Sequence, residues 1–479
     1  MLDVLLISPY LLSQDPLEQK LMKPYPPLGL LYVAAALKPC FSVEILDLTF
    51  KDEQEVARTL SAKKPRIVGV TANVVCREVA GRAIKKAKAA GACVIAGGPD
   101  PSTYEELYLG EYGADYLVRG EAEITVKELV TTLLEGQASE EIQQIPGLVF
   151  LKEGKVTGSP ARALVKELDS LPMPAWDLLD LEPYFSGWRN RWGYTSLHIM
   201  TSRGCPFSCN WCSKEIFARS FRQHSPQRVV DEMLLLRDHY GVDRLWLADD
   251  ITGPNKKWMA KWHSEVLKRG AQIPFECLTR VDLVDETLIR QLKETGCWKI
   301  YYGAESGSQK VLNAMNKETT LEEIKNATRL TKAAGIKVGF FIMFGYPGES
   351  LEDIQLTEQM LAELKPDTAG FSVAYPLKGT LFYEQVKAQM SPQQHQWSST
   401  NENRLLFQAR YPNQFYNLTI RILQKKMALR QRKPLDPGKL LDYGKITLFK
   451  LKRIKVLRQS EKAQKVAAGK VEIPVVAKQ

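Results

Sequence analysis

The sequence predicts an α/β protein: a parallel, doubly wound sheet, then a partial (β/α)6 barrel, then a mostly helical C-terminal region. Three observations predict this. Residues 3–136 alternate short β-branched runs with helix-like segments, the pattern of a parallel sheet covered on both faces. The alternation resumes at His198 and repeats six times, to Ala374. Beyond Ser391 strand-like runs stop and basic residues accumulate. At 479 residues the chain has room for two or three domains. The expected division is 1–140, a connector at 141–195, the barrel at 196–390 and a basic helical region at 391–479.

In the first domain the strands are expected at Val4–Ile7, Ser42–Leu46, Ile67–Thr71, Ala92–Ala96 and Tyr116–Val118. Helices are expected at Leu28–Leu37, Glu53–Ser61, Glu78–Ala90, Thr103–Glu111 and Thr125–Leu134. Gly97-Gly98 follows the fourth strand and Gly120-Glu121 the fifth. Glycine there lets the backbone turn sharply or approach something closely. Read alone, these are tight βα turns. Ligands of such sheets bind at the carboxyl ends of the strands. In the connector, Pro146–Val156 reads as a hairpin and Leu171–Asp177 as a stiff, Pro-rich linker. Phe185, Trp188 and Trp192 in Tyr184–Tyr194 read as packing between domains.

The barrel strands are expected at Leu197–Thr201, Arg244–Ala248, Phe275–Leu278, Lys299–Tyr302, Val338–Phe344 and Thr368–Ala374. Helices follow at Pro226–Tyr240, Lys256–Lys268, Asp285–Thr295, Gln309–Met315, Leu321–Ala334 and Leu351–Leu364. In such a fold the C-terminal strand ends carry the chemistry. Phe415–Arg432 reads as an amphipathic helix, and the tail beyond Ser460 as solvated and partly disordered.

Cys205, Cys209 and Cys212 directly follow the first barrel strand, in Arg203-Gly-Cys-Pro-Phe-Ser-Cys-Asn-Trp-Cys212. This spacing offers three thiolates to one centre and no fourth, so a [4Fe–4S] cluster would keep one iron open. Zinc with His224 as fourth ligand is the competing reading, though zinc sites usually pair two short ligand clusters. The other five cysteines, Cys40, Cys76, Cys93, Cys277 and Cys297, are scattered and expected to be small buried apolar residues. Eight cysteines are too few for a disulfide scaffold at this length.

At the cysteine loop the chain resembles radical S-adenosylmethionine (SAM) enzymes. The resemblance implies that the open iron chelates SAM, which one electron cleaves to a 5′-deoxyadenosyl radical. Later segments resemble the same family in order, and imply further roles. Trp211 stands near the SAM adenine. Asp249 and Asp250, at the second strand end, lie near SAM and substrate; as a bland alternative they cap the next helix. Arg280 holds the SAM carboxylate, or pairs with Asp282. Gly303, Glu305 and Ser306 close the fourth strand, with Glu305 near the SAM methionine or ribose. Gly345 turns after the fifth strand and Pro376 belongs to the closing segment after the sixth.

Residues 1–140 resemble the Rossmann-like cobalamin-binding domain of one class of these enzymes, through Pro26-Pro-Leu-Gly-Leu-Leu-Tyr32, Val68-Gly-Val-Thr71, Gly97-Gly-Pro99 and Gly120-Glu-x-Glu123. The resemblance carries Thr71, Gly97, Gly98, Gly120 and Glu121 over as corrinoid-binding positions. No histidine precedes His198, so cobalamin is expected without a histidine lower ligand.

The implied cofactors are a [4Fe–4S] cluster, SAM and cobalamin. The implied reaction is methylation of an unactivated carbon of a small molecule. The alternative is oxidative cyclisation or another radical rearrangement, as in the magnesium-protoporphyrin ester cyclase group. A tRNA methylthiotransferase, using Cys40, Cys76 and Cys93 for a second cluster, and a zinc-bearing RNA-binding module are weaker readings. The expected partners are the small-molecule substrate and an electron donor such as flavodoxin or ferredoxin; nucleic acid is not expected. The net charge of +10 is unevenly placed: residues 421–470 hold 16 Lys and Arg against 3 Asp and Glu, leaving about −3 elsewhere. Such a tail suits an anionic membrane surface, RNA or an acidic partner, or is simply a solvated basic tail. No apolar run is long enough to span a bilayer, and the expected location is cytoplasmic, peripheral at the membrane.

Overall fold

A computed structural model describes residues 2–136, 139–214, 216–390, 404–433, 436 and 438–468. The N-terminal sheet begins with β1 (Val4–Ser8), β2 (Val43–Asp47), β3 (Ile67–Thr71), β4 (Cys93–Gly97) and β5 (Tyr116–Val118). These five are parallel and fall within a residue of the expected runs. All five residues of β1 are buried, as expected of a strand with helices on both faces. The hairpin of the connector forms as β6 (Leu148–Lys152) and β7 (Lys155–Gly158). It pairs antiparallel with β5, so this part of the connector completes the first sheet, in the order β2-β1-β3-β4-β5-β6-β7.

One helix differs from expectation. Thr103–Glu111 is not continuous: a short helix at Pro99–Thr103 precedes a π-type turn at Leu107–Glu111. Prolines at 99 and 101 pre-set the helical φ and move the start forward. Cys40 also departs from expectation, being exposed, and Cys93 is only partly buried.

The second sheet comprises β8 (Ser196–Ile199) and, after a two-residue pair β9 (Ser202–Arg203) and β10 (Arg222–Gln223), β11 (Arg244–Leu247), β12 (Phe275–Thr279), β13 (Cys297–Glu305), β14 (Lys337–Phe344) and β15 (Thr368–Val373). Its order is β15-β14-β13-β12-β11-β8, all parallel, with β8 and β15 as edges. This is the open (β/α)6 half-barrel. The β9–β10 pair brackets the cysteine loop at its base.

The aromatic stretch forms a helix, Glu182–Trp192, lying between the halves. Trp188 Nε1 donates to Pro24 O at 2.8 Å, and Tyr184 OH donates to Asp47 Oδ2 at 2.5 Å. Two C-terminal helices, Asn413–Gln431 and Gly438–Ala468, pack on each other. They are tied to the barrel by Arg453 and Lys426 on Glu358, at 2.5 and 3.0 Å. Helix therefore continues past Ser460, where disorder was expected; residues 469–479 lie outside the described residues. No described helix is long and apolar enough to cross a membrane.

Candidate active site

The cysteine loop leaves β9 and is tethered at both ends. Asp249, buried at the end of β11, accepts Thr201 N at 2.7 Å, Ser202 N at 2.9 Å and Thr201 Oγ1 at 2.5 Å. Burial pushes its carboxyl up to about 6, against the pull of those donors. Asp250 accepts Gly204 N at 3.1 Å. The two carboxylates thus fix the entry to the loop. Neither caps the following helix, which starts at Lys256 with Asn255 as its cap. Further along, Asn210 N donates to Met315 O and Asn316 Nδ2 to Ser208 O, both at 3.0 Å.

The three thiols are free and half-buried. Burial raises the Cys205 and Cys212 thiols, Cys212 to about 11, and Lys214 draws both back down. Arg280 Nη1 lies 3.7 Å from Cys209 Sγ. Three soft sulfurs beside cations suit a cluster that carries net negative charge. His224 takes no part: its Nδ1 faces Asp169 at 2.9 Å and its ring stacks with Tyr32. Among the described residues, no three His, Cys, Asp or Glu side chains converge on a single-ion position. Cys40, Cys76 and Cys93 lie on separate elements and form no second trio.

Arg280 is fully engaged. It pairs with Asp282 at 2.9 Å, donates to Lys317 O at 2.7 Å and stacks 3.7 Å from the Phe207 ring centroid. It braces the cysteine loop against the 317 turn. Glu305 ends β13 in a left-handed conformation, φ 55°, beside a register shift at Gly303/Glu305. Such a conformation costs a non-glycine residue of the order of 1–2 kcal/mol. It aims the carboxylate at Lys317 Nζ, 3.0 Å away, with both groups buried. A Cβ at Gly303 would lie 2.5 Å from Glu305 Oε1 and 2.7 Å from Lys317 Nζ. Glycine there is what admits the pair. Burial opposes the Lys317 charge, but Glu305 and then Cys209 outweigh it and raise its pKa. Lys317 also stands 5.7 Å from the Trp211 ring centroid, and the buried Trp211 Nε1 has no hydrogen-bond partner among the described residues. Sequence reading missed Lys317, since no pattern marks a lysine after a helix end as a strand-end partner.

Ser306 Oγ meets Thr357 Oγ1 at 3.2 Å and accepts Ser308 N, so it braces the turn after β13. Gly345, φ 83°, donates its N–H to Glu349 Oε2 at 2.6 Å. Pro376 lines a cleft of about 250 Å³ with Arg77, Tyr104 and Ser213, between the two halves.

At the other side of this junction, Thr71, Gly97, Gly98, Gly120 and Glu121 all border one cavity of about 230 Å³. It runs down between the strands and the helices Leu28–Leu37 and Glu123–Glu135, past Leu30, Val33, Val126 and Val130. Met200, Arg203, Ile216 and Phe217 of the barrel half close its top. A Cβ at Gly98, φ 104°, would lie 2.6 Å from Ala72 O. The backbone of this turn therefore requires glycine at 98, at the border of the cavity. Glu121 forms the charged rim. It accepts Arg203 Nη1 and Arg222 Nη1, both at 2.8 Å, and Val165 N at 2.8 Å. Burial opposes its charge, but the two arginines hold its pKa below the usual range. Arg203 also reaches Glu123 at 2.5 Å. One guanidinium thus locks the barrel half to the first sheet.

Residues 19–130 match the family described as the B12 binding domain, and residues 199–361 match the radical SAM superfamily. The chain is 34% identical over 369 residues to the methyltransferase PH0819 of Pyrococcus horikoshii, described as uncharacterized, covering 75% of this chain and 78% of that one. It is 29% identical over 367 residues to the anaerobic magnesium-protoporphyrin IX monomethyl ester cyclase of Rubrivivax gelatinosus, covering 74% of this chain and 64% of the cyclase. The fold is shared with the cobalamin-dependent S-adenosylmethionine radical enzyme OxsB, at TM-score 0.75 and 18% identity over 95% of this chain and 72% of that one. The chain belongs to the radical SAM superfamily, in the class with an N-terminal B12-binding domain, and is an enzyme whose cofactors are a [4Fe–4S] cluster, SAM and cobalamin.

Proposed function

We propose that this enzyme methylates an unactivated carbon of a small-molecule substrate, and that its reacting centre lies over the mouth of the half-barrel. With its cofactors bound, the site disposes of a 5′-deoxyadenosyl radical and a methyl group. Cys205, Cys209 and Cys212 hold the cluster, and Asp249 and Asp250 keep their loop in register. Trp211 walls the SAM side. The buried Glu305–Lys317 pair places a carboxylate and an ammonium beside the loop, where the amino and carboxylate groups of SAM find opposite charges. Arg280 positions this loop through Cys209, Phe207 and the 317 turn. Gly345 and Pro376 bound the site on the β14 and β15 sides. Thr71, Gly97, Gly98 and Gly120 leave the apolar hollow for the corrinoid and its nucleotide tail, and Glu121 seals its rim.

The observation that carries this reading is the hollow itself, which lies at the junction with the barrel half and is lined there by Met200, Arg203, Ile216 and Phe217. The relative from Pyrococcus horikoshii, called a methyltransferase, supports methylation; the cyclase relative keeps ring closure as a second reading. The partners are the small-molecule substrate and an electron donor such as flavodoxin or ferredoxin. An anionic membrane surface is proposed as the docking place of the Gly438–Ala468 helix. There Leu440, Leu441, Leu448, Leu451 and Ile454 are exposed beside Lys445, Lys450, Lys452 and Lys455. None of these four lysines has a salt bridge to a described residue. Exposed apolar residues interspersed with lysines along one helix suit an interfacial position.

The test is anaerobic reconstitution with hydroxocobalamin, SAM and a reductant, followed by product analysis. Methyl transfer requires 5′-deoxyadenosine and S-adenosylhomocysteine to form together. Deoxyadenosine alone moves the assignment to cyclisation or rearrangement.

A further inference from the structure

The lumen face of the barrel sheet carries a feature that none of the proposed cofactor residues uses. Phe341 sits mid-strand on β14, paired on both sides by β13 and β15, yet it is 40% exposed. Its neighbours Phe340 and Ile342 point the other way and are buried in the core under the helices. The two-residue period of a strand puts Phe341 with Gly339 on the inner face. The register sets Gly303 and Gly370 on either side of Phe341, and Gly339 beside Tyr301.

These glycines act as seats. A Cβ at Gly370 would lie 2.9 Å from Phe341 Cδ1, and one at Gly339 would overlap the Tyr301 ring. Lacking those atoms, the sheet lets both rings lie down along it. Tyr301 and Phe341 are nearly parallel, 11° apart with centroids at 5.2 Å. Trp246 meets Tyr301 edge-on at 5.7 Å and closes one side. The wall is continuous with the proposed reacting centre, because Gly303 borders both Phe341 and the Glu305–Lys317 pair. At its lower end Lys299 Nζ donates to Tyr301 OH at 2.5 Å. Lys299 is itself buried there, and its Nζ stands 4.0 Å from Glu276 Oε2, so this end of the wall is closed by an internal ion pair.

We infer that this wall is the substrate platform, and that the substrate presents a planar conjugated ring system to it. This inference rests on the proposed small-molecule methylation. An aliphatic chain would be served by branched apolar side chains at these positions and needs no glycine seats. Flat rings with free faces favour a partner that is itself flat, because ring faces attract rings beyond the burial of area.

The experiment uses the full-length reconstituted enzyme and two probes, 1-pyrenebutyrate and laurate. One is a flat ring with a carboxylate, the other a saturated chain with the same group. Dissociation constants are read by fluorescence, directly for pyrenebutyrate and by competition for laurate. Pyrenebutyrate is expected to bind more tightly than laurate. F341L, which keeps apolar volume, should weaken pyrenebutyrate by about five- to tenfold and laurate by less than about twofold. G370A, which lifts the Phe341 ring off the sheet, should act in the same direction. Equal affinities in the wild type, or equal losses for both probes in F341L, overturn the inference. Iron and sulfide are counted in the same preparations. Iron-poor protein that still discriminates the probes through Phe341 would sink the cluster reading and leave the platform standing; iron-loaded protein that does not discriminate does the reverse.

Discussion

At the carboxyl ends of the first sheet the chain sets Thr71, Gly97, Gly98 and Gly120 around an apolar hollow. At the carboxyl ends of the second it sets Asp249, Arg280 and Glu305, each already held by a partner within the protein. The first site is made by leaving atoms out. The second is made by fixing charges before any cofactor arrives, which lets them act without reorganising. The hollow should therefore tolerate polar substitutions at its rim better than side-chain growth in its wall. The barrel mouth should be sensitive to the loss of a single charge. Substitutions on each side test this contrast.

The largest effect is expected at Cys209. C209A removes one of the three thiolates of the Cys205, Cys209 and Cys212 loop. SAM cleavage should fall to background, and iron should drop well below about four per chain in anaerobic preparations. Full iron content with retained deoxyadenosine formation would contradict the ligand assignment.

Next comes the buried pair. K317M leaves Glu305 buried and unpaired, at a cost of about 3–5 kcal/mol. Thermal unfolding should show a large drop in Tm. The double variant E305Q/K317M should recover much of it, since neither buried charge then remains. A Tm unchanged in K317M would mean that Glu305 finds another cation.

Glu349 comes third, through pH. Burial raises its carboxyl to about 8, with Asp353 adding to the effect, while Gly345 N–H and Lys310 pull the other way. Its Oε1 has no hydrogen-bond partner among the described residues. The unfolded group titrates near 4.5. Between those values the folded state holds a proton that the unfolded state has lost. Its contribution to stability is therefore fully present below about pH 4.5, and is lost as pH rises towards 8, by about 1.4 kcal/mol per pH unit. E349Q, which keeps an oxygen for Gly345 N–H, should flatten the fall in denaturation midpoint between pH 5 and 8. An unchanged slope would place the titration elsewhere.

Much of this was legible in the sequence, and the failures have physical causes. Strands were readable because both sheets are parallel and buried, so their β-branched runs stand out between helices. The hairpin at Leu148–Gly158 was readable as a hairpin, but not as the edge of the first sheet, because pairing with β5 is a long-range choice that local pattern does not encode. The split at Thr103 followed from prolines whose effect on the helix start was overlooked. The cysteine trio and the glycines of the hollow were readable because spacing and turn chemistry are local. Lys317 and Arg222, which shares Glu121 with Arg203, were harder. Their roles come from strands and loops far apart in sequence, and a lone cation in a polar stretch gives no sign of a buried partner.

The smallest effect argued here falls on the hollow, and it separates the two sites most cleanly. Gly98 has φ 104° and ψ 179°, a region open essentially to glycine alone. G98A adds a Cβ where the Ala72 carbonyl oxygen already stands, 2.6 Å away. The strain costs about 1–3 kcal/mol, and the simplest relief moves the 97–99 turn into the hollow. Cobalamin retained per chain after gel filtration should therefore fall, while iron and sulfide, held on the other sheet, stay at wild-type levels. A parallel loss of iron would show that the two sites are coupled through Arg203 and Glu121. R203K then discriminates: it keeps the charge but not the fork that reaches Glu121 and Glu123 together. If the sites are independent, R203K loosens cobalamin and leaves the cluster count alone.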